Sequence, residues 1–527
     1  MIMSIFTKTS RTKLPQNNFK DLSYSNKVDM QLGYLYPVHV EEIVPGDVFF
    51  SGHGAMVRSQ PMVTPVFHNF NYNIRWFFVP NRIMWKDFES FIADQQKGKK
   101  NIGLPEPITH PYLSDNDNEC GYLHDLIGVP PTLDIIGSQA FVTPKKYSEM
   151  GCPINALPFR AYYMIWNEYF KDENTMDDLE YSDESGADPT VYELQRVSWK
   201  KDYFTSALPF AQRGEAVQMI GRVILGDQSS PQVWRQSDGE MVSVLGDGIF
   251  ANDAASNTVL QSEDSPNHET AWMDPNGTLN AAVEFSAIRR ATALQRFLER
   301  SALSGNRYAE LLLAHFGVRS SDQSLQRPQY LGGGVMPINI SPVEQNSETG
   351  TTPQGTLAGK GVGVGSMYFS KRTMFTEHGW LLGLAFIRPD ADYCLGMNRH
   401  LSKENRFDYY WPDFQNIGEQ EILNRELFIQ GLSSEGNLKT FGYQSRYAEY
   451  KWHGNEIHGE FRRSLRSWVA PREFTETPSL SKEFIECNLD ISNNMAVAPS
   501  KFPPFMVEAM NVVHARRPMY YFNRGVL

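Results

Sequence analysis

Two segments near opposite ends of this 527-residue chain alternate residue character with a period of two. Residues 70–78 read FNYNIRWFF, and every second residue from Phe70 is aromatic or aliphatic. That period predicts a β-strand with one apolar face on a core. Residues 505–514 alternate as well, but Met and Val also occur on the second face, which predicts burial on both sides. Strands so far apart in sequence, with helices and polar excursions between them, predict an antiparallel β fold with large insertions.

Weaker patterns add further elements. Residues 38–40 and 381–387 are short apolar runs typical of strands. Apolar residues recur at helical spacing between Phe285 and Leu298, and a second helix is predicted over residues 308–316, ending at Gly317. Residues 159–170 are also predicted to be helical, with their apolar residues in the core. Periodicity alone leaves a sandwich, a barrel and two separate domains open.

Acidic residues are concentrated in two segments of a chain whose net charge is −12. Residues 171–193 hold nine acids and one lysine, and residues 226–280 hold nine acids and one arginine, so each segment carries −8. The remainder of the chain therefore carries +4. Both segments are also rich in Ser, Asn, Gly, Asp and Pro, which predicts solvated surface loops.

Both ends of the chain are basic. Residues 1–20 contain four basic residues and no acid, and the C-terminal end adds three arginines beside Tyr520, Tyr521 and Phe522. Basic groups release counterions from phosphates, and aromatic faces stack on unpaired bases. The candidate nucleic-acid contacts are therefore Lys8, Arg11, Lys13, Lys20, Arg516, Arg517 and Arg524. The alternative is that each end is a solvated, mobile tail.

Several catalytic and metal-binding patterns are approached but not met. Residues 453–458 read HGNEIH, which is neither H-E-x-x-H nor H-x-x-E-H, so polar loop histidines are predicted there. Residues 115–126 lack the glutamate that a calcium loop requires. Residues 359–365 read GKGVGVG without the Walker spacing, which predicts a flexible or closely packed loop. We therefore expect no enzyme, no metal and no cofactor.

Cysteine spacing and hydropathy bear on the compartment. The four cysteines, Cys120, Cys152, Cys394 and Cys487, form no C-x-x-C pair, which predicts reduced core thiols. We expect no secretory signal at the start of the chain. The longest apolar run, Trp380 to Ile387, is far below the ~20 residues that a membrane span needs, so no membrane insertion is expected.

Nine blocks along the chain carry a collinear family resemblance. The blocks are residues 41–50 (EEIVPGDVFF), 75–91, 157–172, 202–214, 288–318, 325–334, 405–428 (NRFDYYWPDFQNIGEQEILNRELF), 441–451 and 514–522. Through these blocks the chain resembles the major capsid proteins of microviruses, in particular the gokushovirus-like branch.

The resemblance implies a fold and a function. The implied fold is mainly β, an eight-stranded antiparallel viral jelly roll with long loop and helical insertions. We expect a basic arm over residues 1–20 and a single jelly-roll domain over residues 21–527. The implied function is self-assembly into an icosahedral shell around circular single-stranded DNA.

Partners and location follow from the same resemblance. They are further copies of the chain, the packaged DNA, a minor spike or pilot protein and a bacterial surface receptor. The expected location is the virion, assembled in the host bacterial cytoplasm. In this family an insertion at the position of residues 226–280 forms a protrusion at the threefold axes, and acidic loops such as 171–193 should face away from DNA. A carbohydrate-active β-sandwich, either a lectin-like module or a glycosidase, is the competing hypothesis.

Overall fold

A computed structural model describes residues 18–93, 106–107, 121–129, 154–212, 285–304, 307–344, 346, 350, 355–368, 372–431, 434–499 and 502–519, with five short strands between 233 and 273. The chain forms two compact units. The larger unit combines Met1–Ala211 with Ser304–Leu527, and the smaller unit is Gln212–Leu303. The expectation of a basic arm over residues 1–20 and a single jelly-roll domain over residues 21–527 stays a prediction.

The described strands are numbered in chain order. They are β1 (Asn18–Asp21), β2 (Tyr24–Met30), β3 (Tyr36–Ile43), β4 (Val48–Ser59), β5 (Phe70–Pro80), β6 (Glu106–Pro107), β7 (Ala187–Asp188), β8 (Val233–Arg235), β9 (Met241–Val242), β10 (Phe250–Asn252), β11 (Thr258–Gln261), β12 (Thr270–Met273), β13 (Gln329–Glu344), β14 (Leu357–Tyr368), β15 (Thr373–Met374), β16 (Gly379–Pro389), β17 (Asp392–Tyr393), β18 (Glu419–Leu423), β19 (Thr440–Ser445), β20 (Asn455–Glu456) and β21 (Phe505–Arg517).

The described helices are fewer and mostly short. The α-helices are α1 (Asn81–Met84), α2 (Phe88–Ile92), α3 (Leu123–Ile127), α4 (Leu157–Tyr169), α5 (Phe285–Ser304), α6 (Tyr308–Phe316), α7 (Asn424–Leu427), α8 (Ser434–Leu438) and α9 (Lys482–Ile485). Single turns of 3-10 helix occur at Arg399–Leu401, Arg406–Asp408, Pro412–Phe414, Ala448–Tyr450, Gly459–Arg462 and Arg466–Trp468.

Eight strands of seven residues or more, counted over the described part of the chain, form the body of the larger unit, and all their pairings are antiparallel. The hydrogen-bonded order is β1-β21-β4-β14-β13-β5-β16-β3, with β2 also on β21 and β15 on β4. The strand β13 pairs with β14 through residues 339–344 and with β5 through residues 329–338. We call β1, β21, β4 and β14 sheet I. We call β5, β16 and β3, together with the start of β13, sheet II. The mainly-β jelly-roll prediction is confirmed.

The main core lies between the two sheets. Phe505 of sheet I and Phe70 of sheet II, both buried, have ring centroids 5.6 Å apart. Polar groups also cross this core: His53 Nε2 lies 2.8 Å from the Tyr72 hydroxyl, and Asn511 Nδ2 donates to the Val38 carbonyl at 2.9 Å. These hydrogen bonds offset the free-energy cost of burying the polar atoms that make them.

The predicted glycine-rich loop at residues 359–365 is strand β14, so that expectation was wrong about the loop and right about close packing. Alternate glycines of this strand point toward the other sheet. A Cβ on Gly365 would lie 2.7 Å from the sulfur of Met336, and one on Gly359 would lie 2.5 Å from the Thr64 carbonyl oxygen. The missing side chains are therefore what lets β14 approach its neighbours so closely.

A second core covers the opposite face of sheet II. Phe77 and Leu384 on that face belong to one buried cluster with Phe159, Tyr162 and Trp166 of α4. The prediction of a core helix at residues 159–170 is thereby confirmed as α4. Strand β5 is buried on both sides, whereas its sequence pattern predicted only one buried face.

For β21 the sequence pattern predicted more burial than the structure shows. Its strand is confirmed, but Met506, Glu508 and Met510 are exposed, so the prediction of burial on both sides was wrong. An apolar side chain such as Met does not by itself identify a covered face, because that depends on which elements pack there.

Two other helix predictions hold. Helix α6 runs from Tyr308 to Phe316 and ends at Gly317, whose φ of +70° is the left-handed conformation that favours glycine at a C-cap. Helix α5 begins at Phe285 and ends at Ser304. Strands β3 and β16 contain the short apolar runs predicted as strands.

The smaller unit contains the acidic segment 226–280. Five short strands form one antiparallel sheet in the order β10-β11-β12-β8-β9. The expectation of a plain irregular loop is therefore wrong for this segment, because its Thr, Val, Trp and Phe residues favour strands. Its role as a surface protrusion stays a prediction.

Candidate nucleic-acid and assembly surfaces

The two sheets of the larger unit differ in what covers them. The outer face of sheet II lies under the second core, whereas side chains on the outer face of sheet I are exposed. Strand alternation assigns to that face the exposed residues Arg58, Val362, Val364, Met506 and Met510. An extended apolar sheet surface of this kind marks a place where something else binds.

The described beginning and end of the chain meet at one edge of sheet I. Strand β1 pairs with the last residues of β21, and Asn18 lies opposite Arg517. The basic residues before β1 and after β21 are therefore attached to the sheet at neighbouring points, although they lie at opposite ends of the sequence.

The structure describes three of the seven predicted nucleic-acid contacts, namely Lys20, Arg516 and Arg517. Lys8, Arg11, Lys13 and Arg524 lie outside the described residues. Lys20 is half-buried on β1 opposite Ala515, and Arg516 is exposed on the outer face of sheet I.

Arg517 is held in an ion-pair network. Its Nη2 donates to Glu41 Oε1 and to the Glu42 carbonyl, both at 2.8 Å, and its Nε lies 3.3 Å from Asp47 Oδ2. Burial raises the pKa of Asp47 and that of Glu41, and the Arg517 charge opposes both shifts. In this arrangement Arg517 ties β21 to β3 and to the turn that precedes β4.

A surface rich in exposed aromatic rings occupies residues 401–417, which we call the aromatic surface. Its exposed large side chains are Leu401, Phe407, Tyr409, Tyr410, Trp411 and Ile417. Aromatic residues and arginine are the types enriched at the centres of protein interfaces. The sequence block here supported the family resemblance, but nothing in its spacing indicated that the rings face outward.

Local hydrogen bonds order the aromatic surface. Asp408 Oδ2 accepts from the backbone N–H groups of Glu404 and Asn405, at 2.9 and 2.7 Å, and Trp411 Nε1 donates to the Arg406 carbonyl at 2.8 Å. A surface that is already ordered loses less side-chain and loop entropy when it binds.

Tyr447 supports this surface from beneath. It is buried, and its φ of +63° is a backbone conformation that a non-glycine residue adopts at a cost. Its hydroxyl accepts from the Trp411 N–H at 3.2 Å and donates to the Tyr409 carbonyl at 3.3 Å, while its ring lies 4.9 Å from that of Tyr410. The strained residue thus positions three of the exposed aromatic residues.

The acidic segment 171–193 is only partly a solvated loop. Asp177, Glu180 and Asp183 are exposed, as expected. Asp188, in contrast, is fully buried and accepts from Arg160 Nε at 2.8 Å. The expectation of a uniformly solvated loop was therefore wrong at Asp188, whose carboxylate neutralises a buried guanidinium.

The near-matches to catalytic motifs assemble no reactive centre in the part of the chain that the structure describes. His453 and His458 line a cavity of about 320 Å³ together with Trp452 and Arg399. His458 Nε2 contacts Glu456 Oε2 at 3.0 Å, and His458 is exposed. Over the described residues, three or more metal-ligating side chains never gather in one place, and no helix has the length and apolarity to cross a bilayer. The aspartates of the rejected calcium pattern lie outside the described residues.

A two-sheet antiparallel jelly roll with one covered sheet, one bare sheet and an ordered exposed aromatic surface defines a structural protein built for association. The chain belongs to the capsid protein (F protein) family, whose model matches residues 8–526. It is a structural capsid protein of microvirus type and a component of the virion, so the alternative of a carbohydrate-active β-sandwich, either a lectin-like module or a glycosidase, was wrong.

Three relatives are each named capsid protein VP1. That of Bdellovibrio phage phiMH2K is 33% identical over 508 residues, covering 91% of this chain and 90% of the relative. That of Chlamydia phage 1 is 30% identical over 589 residues, covering 98% and 96%. That of Spiroplasma virus 4 is 27% identical over 525 residues, covering 93% and 91%.

Proposed function

We propose that copies of this chain tile into a closed icosahedral shell that encloses circular single-stranded DNA. The observation that carries the proposal is the match of the capsid family to nearly the whole chain. A closed shell requires contacts that close by symmetry, and obligate interfaces typically bury ~2,000 Å² or more. Electron microscopy and sedimentation of the purified chain test it: closed particles are expected, and a chain that stays monomeric at every concentration and buffer contradicts it.

The aromatic surface is proposed as one of the contacts between copies. Its support is the number of exposed rings at residues 401–417 and their ordering by Tyr447. Trp411→Ala should reduce particle yield sharply while the folded chain persists, and Trp411→Phe, which keeps a ring, should retain most of the yield. Equal yields from wild type and Trp411→Ala would remove this surface from the list of contacts.

The orientation of the subunit is proposed from charge and coverage. The bare outer face of sheet I would face the packaged DNA, because both basic ends of the chain attach at its edge. The acidic segments 171–193 and 226–280 would face outward, since carboxylates next to DNA would repel phosphate. Limited proteolysis of intact particles is expected to cut within 226–280 and to spare residues 1–20 until the particles are opened.

The basic residues named from sequence are proposed as DNA contacts: Lys8, Arg11, Lys13, Lys20, Arg516, Arg517 and Arg524. Removing residues 1–17, which spares β1, should reduce retained DNA and flatten its salt dependence by about 0.7 in log–log slope per lost phosphate contact. The ion pairs of Arg517 with Glu41 and Asp47 make Arg516 the cleaner single test. Unchanged packaging and an unchanged salt response in both variants would contradict the assignment.

The remaining partners are proposed from the family resemblance. They are a minor spike or pilot protein and a bacterial surface receptor met by residues 226–280, with assembly in the host cytoplasm. Mass spectrometry of purified virions tests the first. Adsorption to host cells of particles that lack 226–280 tests the second, and adsorption equal to that of intact particles would exclude this segment.

A further inference from the structure

Three rings form a row across neighbouring strands of sheet I, at the edge where the chain ends attach. His514 of β21 lies between Phe19 of β1 and Phe50 of β4. The ring centroids of Phe19 and His514 are 5.2 Å apart, and those of Phe50 and His514 are 6.3 Å apart with planes only 9° from parallel. The Phe19 side chain is 61% exposed, so this large apolar group is held at the surface by its neighbours.

Strand register puts a positive charge beside this row. Phe19 lies directly opposite Arg516, and Asp21 lies opposite His514, in an antiparallel pair whose facing side chains share one face. Arg516 is exposed on that face. The carboxylate of Asp21 accepts from Ser23, through its N–H at 3.1 Å and its hydroxyl at 2.6 Å, and lies 3.6 Å from His514 Nδ1. The Asp21 carboxylate is therefore already occupied by Ser23 and by the His514 ring.

Both chain segments that join this edge are basic in sequence. Residues 1–20 carry +4 and residues 514–527 carry +3, with no acid in either stretch. The pairing of Asn18 with Arg517 attaches both stretches next to the ring row. Arg517 is already paired with Glu41 and Asp47, so Arg516 and the basic residues that precede β1 supply the positive charge, and a polyanion is the ligand that such charge attracts.

We propose that Phe19, His514 and Arg516 form a binding site for an unpaired nucleotide of single-stranded DNA. The base stacks on the exposed ring of Phe19, which His514, itself stacked on Phe50, supports from the side, and the Arg516 guanidinium pairs with the adjacent phosphate. Stacking on an aromatic face is indifferent to base identity, as a shell that packages a whole genome requires. A base in a duplex presents no free face to the ring, so the site selects single strands. This inference rests on the proposed packaging of DNA and names the residues that carry it.

The test measures binding of the purified full-length chain to a fluorescent 20-nucleotide oligo(dT) by anisotropy, with a duplex of equal length as the comparison. Phe19→Ala should weaken binding to oligo(dT) by about fivefold or more, the range for losing one base–aromatic stack. Phe19→Trp should bind at least as tightly as wild type. Arg516→Gln should lower the salt slope by about 0.7, as one lost phosphate contact predicts. Phe316→Ala, which removes an exposed ring on α6 outside sheet I, should bind as wild type does.

Each result bears on the site. Wild-type binding by Phe19→Ala and Arg516→Gln would overturn it, as would an equal loss of duplex and single-strand binding in Phe19→Ala. If Phe19→Ala lowers the unfolding midpoint, Phe19→Leu, which keeps apolar bulk without a ring, decides: retained binding overturns stacking and lost binding supports it. Electron microscopy of the same preparations distinguishes failure of this site from failure of the proposed packaging function. Particles that contain DNA, with variants that bind normally, leave the packaging function intact and remove this site, whereas a chain that never forms particles removes the function itself.

Discussion

His53 Nδ1 lies 3.0 Å from Asn511 Oδ1 inside the larger unit, joining β4 to β21 through a buried hydrogen bond. Its other ring nitrogen contacts the Tyr72 hydroxyl of sheet II. A second buried histidine, His39, contacts the Tyr24 hydroxyl through Nδ1 at 2.9 Å. Two imidazoles therefore lie in the region that holds the sheets together, and both are shielded from water.

These histidines should make the fold sensitive to acid. Burial lowers the pKa of His39 to about 3 and that of His53 to about 4, from an ordinary value of 6.5. The folded state therefore binds fewer protons than the unfolded chain between about pH 6.5 and pH 4. The contribution of these two histidines to the free energy of unfolding is therefore fully present above pH 6.5. It is lost as the pH falls below that value, by about 2 kcal/mol per histidine between pH 7 and pH 5.

Urea unfolding at several pH values measures this loss. Replacing His39 and His53 together by glutamine should flatten the stability profile between pH 7 and pH 5, whatever the change in absolute stability. His458→Gln is the matched control for the His-to-Gln replacement itself, because that side chain is exposed. A double variant with the wild-type slope would contradict the assignment.

The buried pair of Arg160 and Asp188 should be expensive to break. Asp188 Oδ2 accepts from Arg160 Nε and from the Tyr192 hydroxyl, each at 2.8 Å. Asp188→Ala should destabilise the fold by about 3–5 kcal/mol, because it leaves a guanidinium charge uncompensated in the interior. The urea midpoint measures the effect. Asp177→Asn in the same acidic segment is exposed and should change stability by no more than about 0.5 kcal/mol, and equal effects of the two substitutions would disprove the argument.

Gly33 should be irreplaceable for a steric reason. Its φ is +76°, and a Cβ there would lie 1.9 Å from the carbonyl oxygen of Cys487. Gly186 has a similar φ of +83° but no atom within 4 Å of the equivalent position. Gly186→Ala should therefore cost only the backbone strain, about 1–2 kcal/mol, whereas Gly33→Ala should cost several times as much or prevent folding. Comparable unfolding midpoints for the two variants would argue against a steric origin.

Sequence reasoning predicted local structure best where a strong stop signal follows a periodic segment. Helix α6 ends before Gly317 as predicted, because the left-handed conformation at its end favours glycine. Burial was harder to predict. The patterns of β5 and β21 led to opposite errors, since the second core, to which α4 contributes, covers the second face of β5, and the corresponding face of β21 is left bare.

The candidate surfaces also differ in whether the sequence alone reveals them. The basic ends are visible in the sequence because charge needs no partner to be recognised. The ring row is not visible, because Phe19, Phe50 and His514 become neighbours only through the register of β1, β4 and β21. The support from Tyr447 also escaped prediction, since tyrosine is not a residue type expected at a positive φ.

Strand β13 belongs to both sheets, changing partners from β5 to β14 along its length. Because one continuous backbone runs through the two layers, they cannot slip past each other without bending it. A wall built from such subunits should resist internal pressure as a stiff laminate, in which load applied to one layer is carried directly into the other.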